Sequence, residues 1–212
     1  MVIPGVEGDA SIPAGNGFGV LRVDTRGMAR FAGVLADGTH VSQSAALSKD
    51  GLWPLFVPLY AGNGQIWSWL EFTNRTDSDF DGTLTWIKSP DARAHYYANG
   101  FANQYPTVGS AYLAPVGSNI LNLASARLEF SGGNLGAGFT NSITLGERSK
   151  INTGEKGFGM RFALGSGTYL GTVSEPVSGK TLPFRGAVLQ KLNAGYGFLL
   201  GTDQSSGVVF SP

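Results

Sequence analysis

Two tryptophans separated by a single residue form the part of this sequence best suited to binding a ligand. They lie in the run Q-I-W-S-W-L-E-F, residues 65–72. Side chains alternate between the two faces of a strand, which places Trp67 and Trp69 on one face together with Gln65 and Glu71. Indole rings stack on the apolar face of a sugar ring, while amide and carboxylate groups bond to its hydroxyls. We therefore expect these four side chains to form a saccharide-binding face.

Three other aromatic residues are candidates for the same role. Trp53 lies at the start of the preceding strand, and Tyr96 and Tyr97 lie in a segment rich in turn-forming residues. We expect these side chains to add stacking surface. Large aromatic residues are more often part of a core, so the alternative is that Trp67 and Trp69 face a second sheet or a barrel interior. Their exposure to solvent decides between the two interpretations.

A cluster of acidic residues gives a weaker candidate for a metal site. Asp77, Asp79 and Asp81 precede Gly82 in the pattern D-x-D-x-D-G, with which calcium-binding loops begin. Such a loop ends with a bidentate glutamate, but its last position here is Lys88. A solvated hairpin turn is the alternative interpretation. We therefore expect no cofactor, with a calcium ion as the one alternative.

The sequence contains little that could carry catalysis. It has no G-x-S-x-G elbow, phosphate-binding loop or dinucleotide fingerprint, and no cysteine to act as a nucleophile or metal ligand. A glycosidase needs two carboxylates on opposite sides of a cleft, and most acidic residues here fall in predicted turns. The remaining enzyme hypothesis is a polysaccharide-active site beneath the segment 89–112, which would act as a lid.

The composition argues against several classes of partner. Lysine plus arginine equals aspartate plus glutamate, 15 of each, so no basic surplus exists to bind nucleic acid or anionic lipid. No apolar run approaches the roughly 20 residues of a membrane helix. Early turns and two prolines within a strand disfavour a membrane-spanning barrel. We expect a polysaccharide or a cell-surface glycan as partner, and neither nucleic acid nor a membrane.

The spacing of turns predicts an all-β fold. The 212 residues include 32 glycines, and 42% are hydrophobic, which is typical of short strands joined by tight turns around a substantial core. About a dozen strands follow one another at the spacing found in sandwiches and barrels. Pro54 and Pro58 share one face of a strand and predict an edge or bulged strand, because proline cannot donate to a ladder. We expect a single antiparallel β-barrel or sandwich.

An internal repeat indicates that the fold is a duplication. Residues 51–72 resemble residues 179–201, with Pro54 matching Pro183 and an asparagine-containing turn leading into an aromatic strand in both. An Arg-Phe pair lies 24 residues before the first of these prolines and 22 before the second, at Arg30-Phe31 and Arg161-Phe162. We therefore expect two diverged meander halves.

These patterns suggest a simple domain organisation. We expect a loose N-terminal linker over residues 1–15, followed by one all-β domain over residues 16–212. Within that domain, the half-repeats are expected at about residues 16–88 and 119–212, and an irregular loop over residues 89–118 joins them.

Four motifs give the chain a resemblance to a family. They are F-x-G-x-L-x-D-G-T, D-G-x-W-P-L, W-x-W-L and a terminal G-Y-G-F-x-L-G strand, and the resemblance covers residues 15–210. The chain resembles the uncharacterised Gly/Trp-rich β modules found toward the C-terminal ends of large secreted proteins of environmental bacteria. The resemblance implies a secreted or cell-surface bacterial accessory module within a longer multidomain protein. It implies no functional residue.

The sequence thus favours a non-catalytic extracellular module that binds polysaccharide by aromatic stacking. One alternative is a structural or adhesive module of a large surface or secreted protein, with no site for a small ligand. The second alternative is the polysaccharide-active enzyme with its site beneath residues 89–112.

Overall fold

A computed structural model describes residues 1–212 of the protein. Strands make up 51% of the chain, and three short 3-10 turns are its only helical elements. None of these is long and apolar enough to cross a membrane. The first half consists of eight strands: β1 (Val2–Ile3), β2 (Gly17–Val23), β3 (Met28–Val34), β4 (His40–Ala46), β5 (Leu52–Leu59), β6 (Gly64–Phe72), β7 (Phe80–Lys88) and β8 (Phe101–Gly109).

The second half also consists of eight strands: β9 (Ser125–Ser131), β10 (Phe139–Leu145), β11 (Ile151–Asn152), β12 (Gly159–Ala163), β13 (Thr168–Ser174), β14 (Thr181–Leu189), β15 (Ala194–Leu200) and β16 (Ser205–Ser211). The strand order is β4-β3-β2-β1-β8-β7-β6-β5 in one sheet and β11-β10-β9-β16-β15-β14-β13-β12 in the other. In each half the last strand pairs antiparallel with the first. Each half is therefore an up-and-down meander curled into a nearly closed barrel.

Both barrels are filled by side chains. Inward residues alternate with outward ones, and each interior is built around large aromatic residues that are at most 2% exposed: Trp53, Trp86 and Tyr105 in the first barrel, and Phe130, Tyr169, Phe184 and Phe210 in the second. The all-β class and the duplicated meander are confirmed. The duplication produces sixteen strands in two sheets, rather than about a dozen in one barrel or sandwich.

Two segments expected to be irregular contribute strands. Residues 101–109 form β8, which pairs with β7 along its whole length, so the expected irregular loop is wrong for this stretch. Val2 and Ile3 form β1 and are buried between β2 and β8, so residues 1–3 are not a loose linker. Neither strand is evident from the sequence, because β1 has only two residues and β8 contains a proline within a turn-rich segment.

The internal repeat relates strands nine positions apart along the chain. A 3-10 turn at Tyr60–Gly62 joins β5 to β6, and another at Gln190–Leu192 joins β14 to β15. The two Arg-Phe pairs lie on β3 and β12. Each sheet has only eight strands, but the cyclic order of equivalent strands is the same in both. The chain enters the second barrel one strand earlier in this cyclic order: β10 is equivalent to β1, and β9 takes the place that β8 has in the first barrel.

Two prolines explain why the first barrel has a seam between β4 and β5. Every second residue of β5 directs its backbone groups to β6, and Pro54 and Pro58 lie between these residues. Their backbone nitrogens therefore face the seam, where proline has no N–H to donate to β4. Gln43 of β4 bridges the gap: its Nε2 donates to the Pro54 carbonyl at 3.0 Å, and its Oε1 accepts from the Phe56 amide at 3.1 Å. The prediction that the two prolines mark an edge strand is confirmed.

The barrels pack against each other at the start of β2. A Cβ atom on Gly15 would lie 2.5 Å from the Cβ of Phe198, so only glycine fits at this approach. Asn16 donates its backbone N–H and its Nδ2 to the Gly197 carbonyl at 3.0 and 3.1 Å. The ring centroids of Phe18 and Phe198 are 6.1 Å apart. This glycine-rich run therefore joins the two halves.

Lys191 fastens the junction at a second place. It belongs to the 3-10 turn of the second half, and its Nζ lies 2.8 Å from Asp79 Oδ1 of the first half. The same ammonium donates to Asn74 Oδ1 at 2.8 Å and to the carbonyls of Arg75 and Ser78 at 2.6 and 3.2 Å. One cation thus satisfies four oxygens of the turn that precedes β7.

Replacing Gln43 by alanine should weaken the seam. The Pro54 carbonyl and the Phe56 amide would lose their partners, so we expect the free energy of unfolding to fall by about 1–2 kcal/mol. Urea denaturation measures the change. The neighbouring exposed Ser44→Ala is the control and should shift stability by less than about 0.5 kcal/mol. Equal midpoints for the two variants would show that the seam does not depend on this side chain.

The Lys191 contact should make stability sensitive to acid. Partial burial opposes ionisation of Asp79, but the hydrogen bonds from Lys191 and from the Ala111 amide hold its pKa below the ordinary value of 3.8. The Asp79 carboxylate therefore binds a proton more readily in the unfolded chain than in the folded chain. The stabilisation is fully present above the ordinary pKa and is lost as the pH falls through the lowered folded-state pKa.

Lys191→Met should therefore lower the free energy of unfolding by about 1–3 kcal/mol at pH 7. The deficit relative to the unsubstituted protein should shrink at pH 3, where that protein begins to lose the same interaction. Urea denaturation at both pH values tests this, with the exposed Lys49→Met as the charge-matched control. A deficit of equal size at both pH values would contradict the role of Asp79.

Candidate functional site

Trp67 and Trp69 share one face of β6, as the alternation predicts, and this face is exposed to solvent. Ile66 and Leu70 are fully buried, whereas Trp67 and Trp69 are 42% and 59% exposed. Gln65 and Glu71 lie on the same outer side, one at each end of the pair. Consecutive outward positions on a strand are about 6.6 Å apart. The two indoles are therefore spaced so that both can contact one extended ligand.

Strand β5 adds an exposed aromatic ring that the sequence analysis did not single out. Phe56 is 54% exposed and lies directly opposite Trp67, while Pro54 lies opposite Trp69. The Phe56 amide bonds to Gln43 and not to β6. Phe56 and Trp67 are therefore a non-hydrogen-bonded pair, the arrangement in which opposite side chains are closest. We call Phe56, Trp67 and Trp69 the aromatic face.

Polar groups border the aromatic face on its β7 side. Thr85 lies opposite Trp67. Beside Trp69 the main-chain ladder between β6 and β7 is interrupted, and the Ser68 hydroxyl donates to the Thr83 carbonyl at 2.8 Å. Ser68 itself points inward, so the Thr85 hydroxyl is the one beside the exposed rings, with an amide at one end of the pair and a carboxylate at the other. This combination suits a ligand with both apolar faces and hydroxyls.

Trp53 does not belong to this face, so the prediction that it adds stacking surface is wrong. It is completely buried, and its ring packs edge-on against Phe31 at 5.5 Å. The signal was present in the sequence, because Trp53 alternates in step with Leu55 and Val57, whereas Phe56 alternates in step with the prolines. The apolar series faces the core.

The two candidate tyrosines lie at the junction of the halves. Tyr97 is buried, its hydroxyl lies 3.0 Å from Ser205 Oγ and accepts from the Ser205 amide at 2.8 Å, and burial raises its pKa. Tyr96 is half-buried and donates to the Gly201 carbonyl at 3.4 Å. Tyr97 therefore cannot stack on a ligand, and the structure does not bring Tyr96 beside the aromatic face.

The three aspartates of the calcium candidate are held by different partners. Asp79 pairs with Lys191, and Asp81 pairs with Arg75 at 3.4 Å. Asp77 is exposed and separate. No three acidic, histidine or cysteine side chains in the chain converge as a metal-binding group. The D-x-D-x-D-G pattern is therefore a hairpin turn bound by basic side chains.

A buried polar cluster closes one end of the first barrel. The Lys88 ammonium lies 3.7 Å from Asp37 Oδ2 and 3.7 Å from the centre of the Tyr60 ring. The Tyr60 hydroxyl donates to Asp37 at 2.6 Å and accepts from Trp86 Nε1 at 3.0 Å. Burial and the Asp37 charge raise the pKa of Tyr60, so its hydroxyl stays protonated. All four side chains of the cluster are bound to one another inside the barrel end, which fits a structural role.

The enzyme hypothesis needs a cleft beneath residues 89–112. The first part of this segment packs on the second half through Tyr96 and Tyr97, and residues 101–109 belong to the sheet. The Asp91 carboxylate is bound by its neighbour Arg93. One cavity, of about 300 Å³, is lined by residues 110–112, and its one carboxylate is that of Asp79, which pairs with Lys191. The structure thus offers no support for a catalytic cleft there.

Comparison with protein-family models, with curated proteins and with solved structures finds no match for this chain.

Asp37→Ala should strongly destabilise the first barrel. It would leave the Lys88 ammonium buried without its counter-charge, which typically costs about 3–5 kcal/mol. Lys88→Met should cost less, because Asp37 would keep its bonds from Tyr60 and from the Thr39 amide. Guanidinium denaturation measures both, and Asp50→Ala is the control, since Asp50 also precedes a turn glycine but is exposed. A cost of Asp37→Ala no larger than that of the control would contradict this.

Proposed function

We propose that this chain is a non-catalytic extracellular module that binds polysaccharide through its aromatic face. The observation that carries the proposal is the exposure of Phe56, Trp67 and Trp69 on two adjacent strands of a barrel whose interior is already filled. A contiguous apolar patch on the surface of a protein often marks an interaction site. None of the three rings is part of the hydrophobic core.

The groups around the rings favour a saccharide as the ligand. Gln65 and Glu71 stand at the two ends of the tryptophan pair, and Thr85 lies beside Trp67. Amide, carboxylate and hydroxyl groups can bond the hydroxyls of a sugar whose apolar face lies on an indole. The face lies on the outer surface of the barrel and not in a cavity, which suits a long polymer better than a small molecule.

The resemblance to Gly/Trp-rich modules of secreted bacterial proteins supports a location outside the cell. On this proposal the chain is an accessory module of a longer bacterial protein, secreted or held at the cell surface. It attaches that protein to a polysaccharide or a cell-surface glycan. The balance of charges, 15 basic and 15 acidic residues, gives nucleic acid no comparable surface.

A structural or adhesive module is the second candidate, and one observation favours it. The outer face of β14 and β15 is equivalent to that of β5 and β6, and there the first barrel covers Phe198 completely. Phe56 and Arg185 each lie two residues after one of the two matched prolines. Trp67 lies opposite Phe56, and Phe198 lies opposite Arg185, so Phe198 is the equivalent of Trp67. A second copy of the chain could cover the aromatic face in the same way.

Trp67→Ala and Trp69→Ala should each weaken glycan binding about tenfold or more, because truncating a central interface tryptophan typically costs about 2 kcal/mol or more. The test is a titration with a soluble β-glucan, a xylan and a galactomannan, followed by tryptophan fluorescence with iodide as quencher. Two of the four tryptophans are buried, so the quenchable signal should come from Trp67 and Trp69 and be protected by the bound glycan.

Leu113→Ala is the matched control, since Leu113 is an exposed apolar residue outside the aromatic face. It should leave both binding and quenching unchanged. Sedimentation of the free protein over a range of concentrations separates the two candidates. Self-association that Trp67→Ala abolishes, with no glycan bound, would replace the polysaccharide proposal by the structural one.

A further inference from the structure

A groove at the junction of the halves contains two arginines and no acidic residue. Its floor is the outer face of β12, β13 and β14, and Phe18 and Val34 of the first half form its wall. The cavity has a volume of about 660 Å³. It is separate from the aromatic face, which lies on β5 and β6. A polymer bound at one surface need not touch the other.

Two arginines line this groove, one from each of the two strands that flank β13. Leu170 of β13 lies opposite Arg161 of β12 and opposite Arg185 of β14. All three side chains are exposed on the outer face. Strands lie about 4.8 Å apart, so the two arginine Cα atoms are about 10 Å apart. Their long side chains can therefore reach a common ligand or two successive groups of a polymer.

Neither arginine has a counter-ion within the protein. None of the six ion pairs involves Arg161 or Arg185. The equivalent of Arg161 in the first half, Arg30, is paired with Asp24 at 3.5 Å. The first half thus neutralises its arginine, whereas the second half leaves two unpaired like charges on β12 and β14, on either side of Leu170, in a concave surface. An anion bound between them would offset their mutual repulsion.

We propose that this groove binds carboxylate groups of an acidic polysaccharide, a polyuronate. The step from an anion to an acidic polysaccharide rests on the function proposed above. The planar fork of arginine matches a carboxylate with two parallel hydrogen bonds. Thr168 and Thr172, on the same outward side of β13, offer hydroxyls to the sugar. Leu170 and the Phe18 wall offer apolar contact.

The test is a titration of the whole chain with polygalacturonate, with a neutral galactan and with dextran sulfate at two salt concentrations. We expect tighter binding to polygalacturonate than to the galactan, with a difference that falls at high salt. Arg161→Gln and Arg185→Gln should each weaken polygalacturonate binding about tenfold or more, the usual effect of losing a charge-assisted hydrogen bond. Arg185→Lys should recover only part of the loss, because lysine lacks the fork.

Arg127→Gln is the matched control. Arg127 lies on the outer face of β9 in the same sheet and is also without an ion pair. Its substitution by glutamine changes the net charge by the same amount as the two groove substitutions. Near-ultraviolet circular dichroism checks that every variant keeps its fold. An equal loss in the Arg127 variant would overturn the proposal, because it would show a general charge effect. Arg-dependent binding of dextran sulfate without binding of polygalacturonate would overturn the assignment to carboxylate.

Failure of this inference and failure of the proposed function give different results. Polysaccharide binding that depends on Trp67 and Trp69 but is unchanged by Arg161→Gln and Arg185→Gln would overturn only the inference. Absence of binding to every neutral and acidic polymer would overturn the function itself. Polygalacturonate binding that survives Trp67→Ala but not Arg185→Gln would support the groove as a site of its own.

Discussion

A filled interior is the constraint on which the rest of this structure depends. Each barrel has eight strands, and side chains of one alternation fill its interior with large aromatic residues. No lumen remains in which a ligand could bind. Every other large side chain must then lie at the junction of the barrels or on an outer surface. A ligand would therefore bind on an outer surface or at the junction of the barrels.

The junction gives the two similar halves different exposed surfaces. In the second half, the outer face of β14 and β15 is covered because Gly15 and Asn16 bring the first barrel within contact of Phe198. In the first half, no part of the chain reaches the equivalent face of β5 and β6. The same strand pair therefore serves as an internal interface in one barrel and stays open to solvent in the other.

Local pattern was enough to predict the all-β class, the internal repeat and the shared face of Trp67 and Trp69, but not the exposure of that face. Alternation decided which side of β6 carries Trp67 and Trp69, and proline chemistry decided that β5 is an edge. Contacts between distant segments could not be predicted in the same way. Tyr97 is buried where its hydroxyl accepts from the Ser205 amide and contacts the Ser205 hydroxyl, more than a hundred residues away. Short strands such as β1 have too few residues to show any period.

The seam explains why the exposed rings are where they are. Pro54 and Pro58 occupy the outward positions on either side of Phe56, so β5 cannot add a further strand by main-chain pairing. Prolines that block a ladder also protect an exposed apolar edge from aggregation, and Gln43 occupies the one remaining amide. The protein can thus keep three large rings in water on a strand that resists unwanted pairing. A surface that is both apolar and protected in this way is consistent with recognition of a ligand by side chains and not by the backbone.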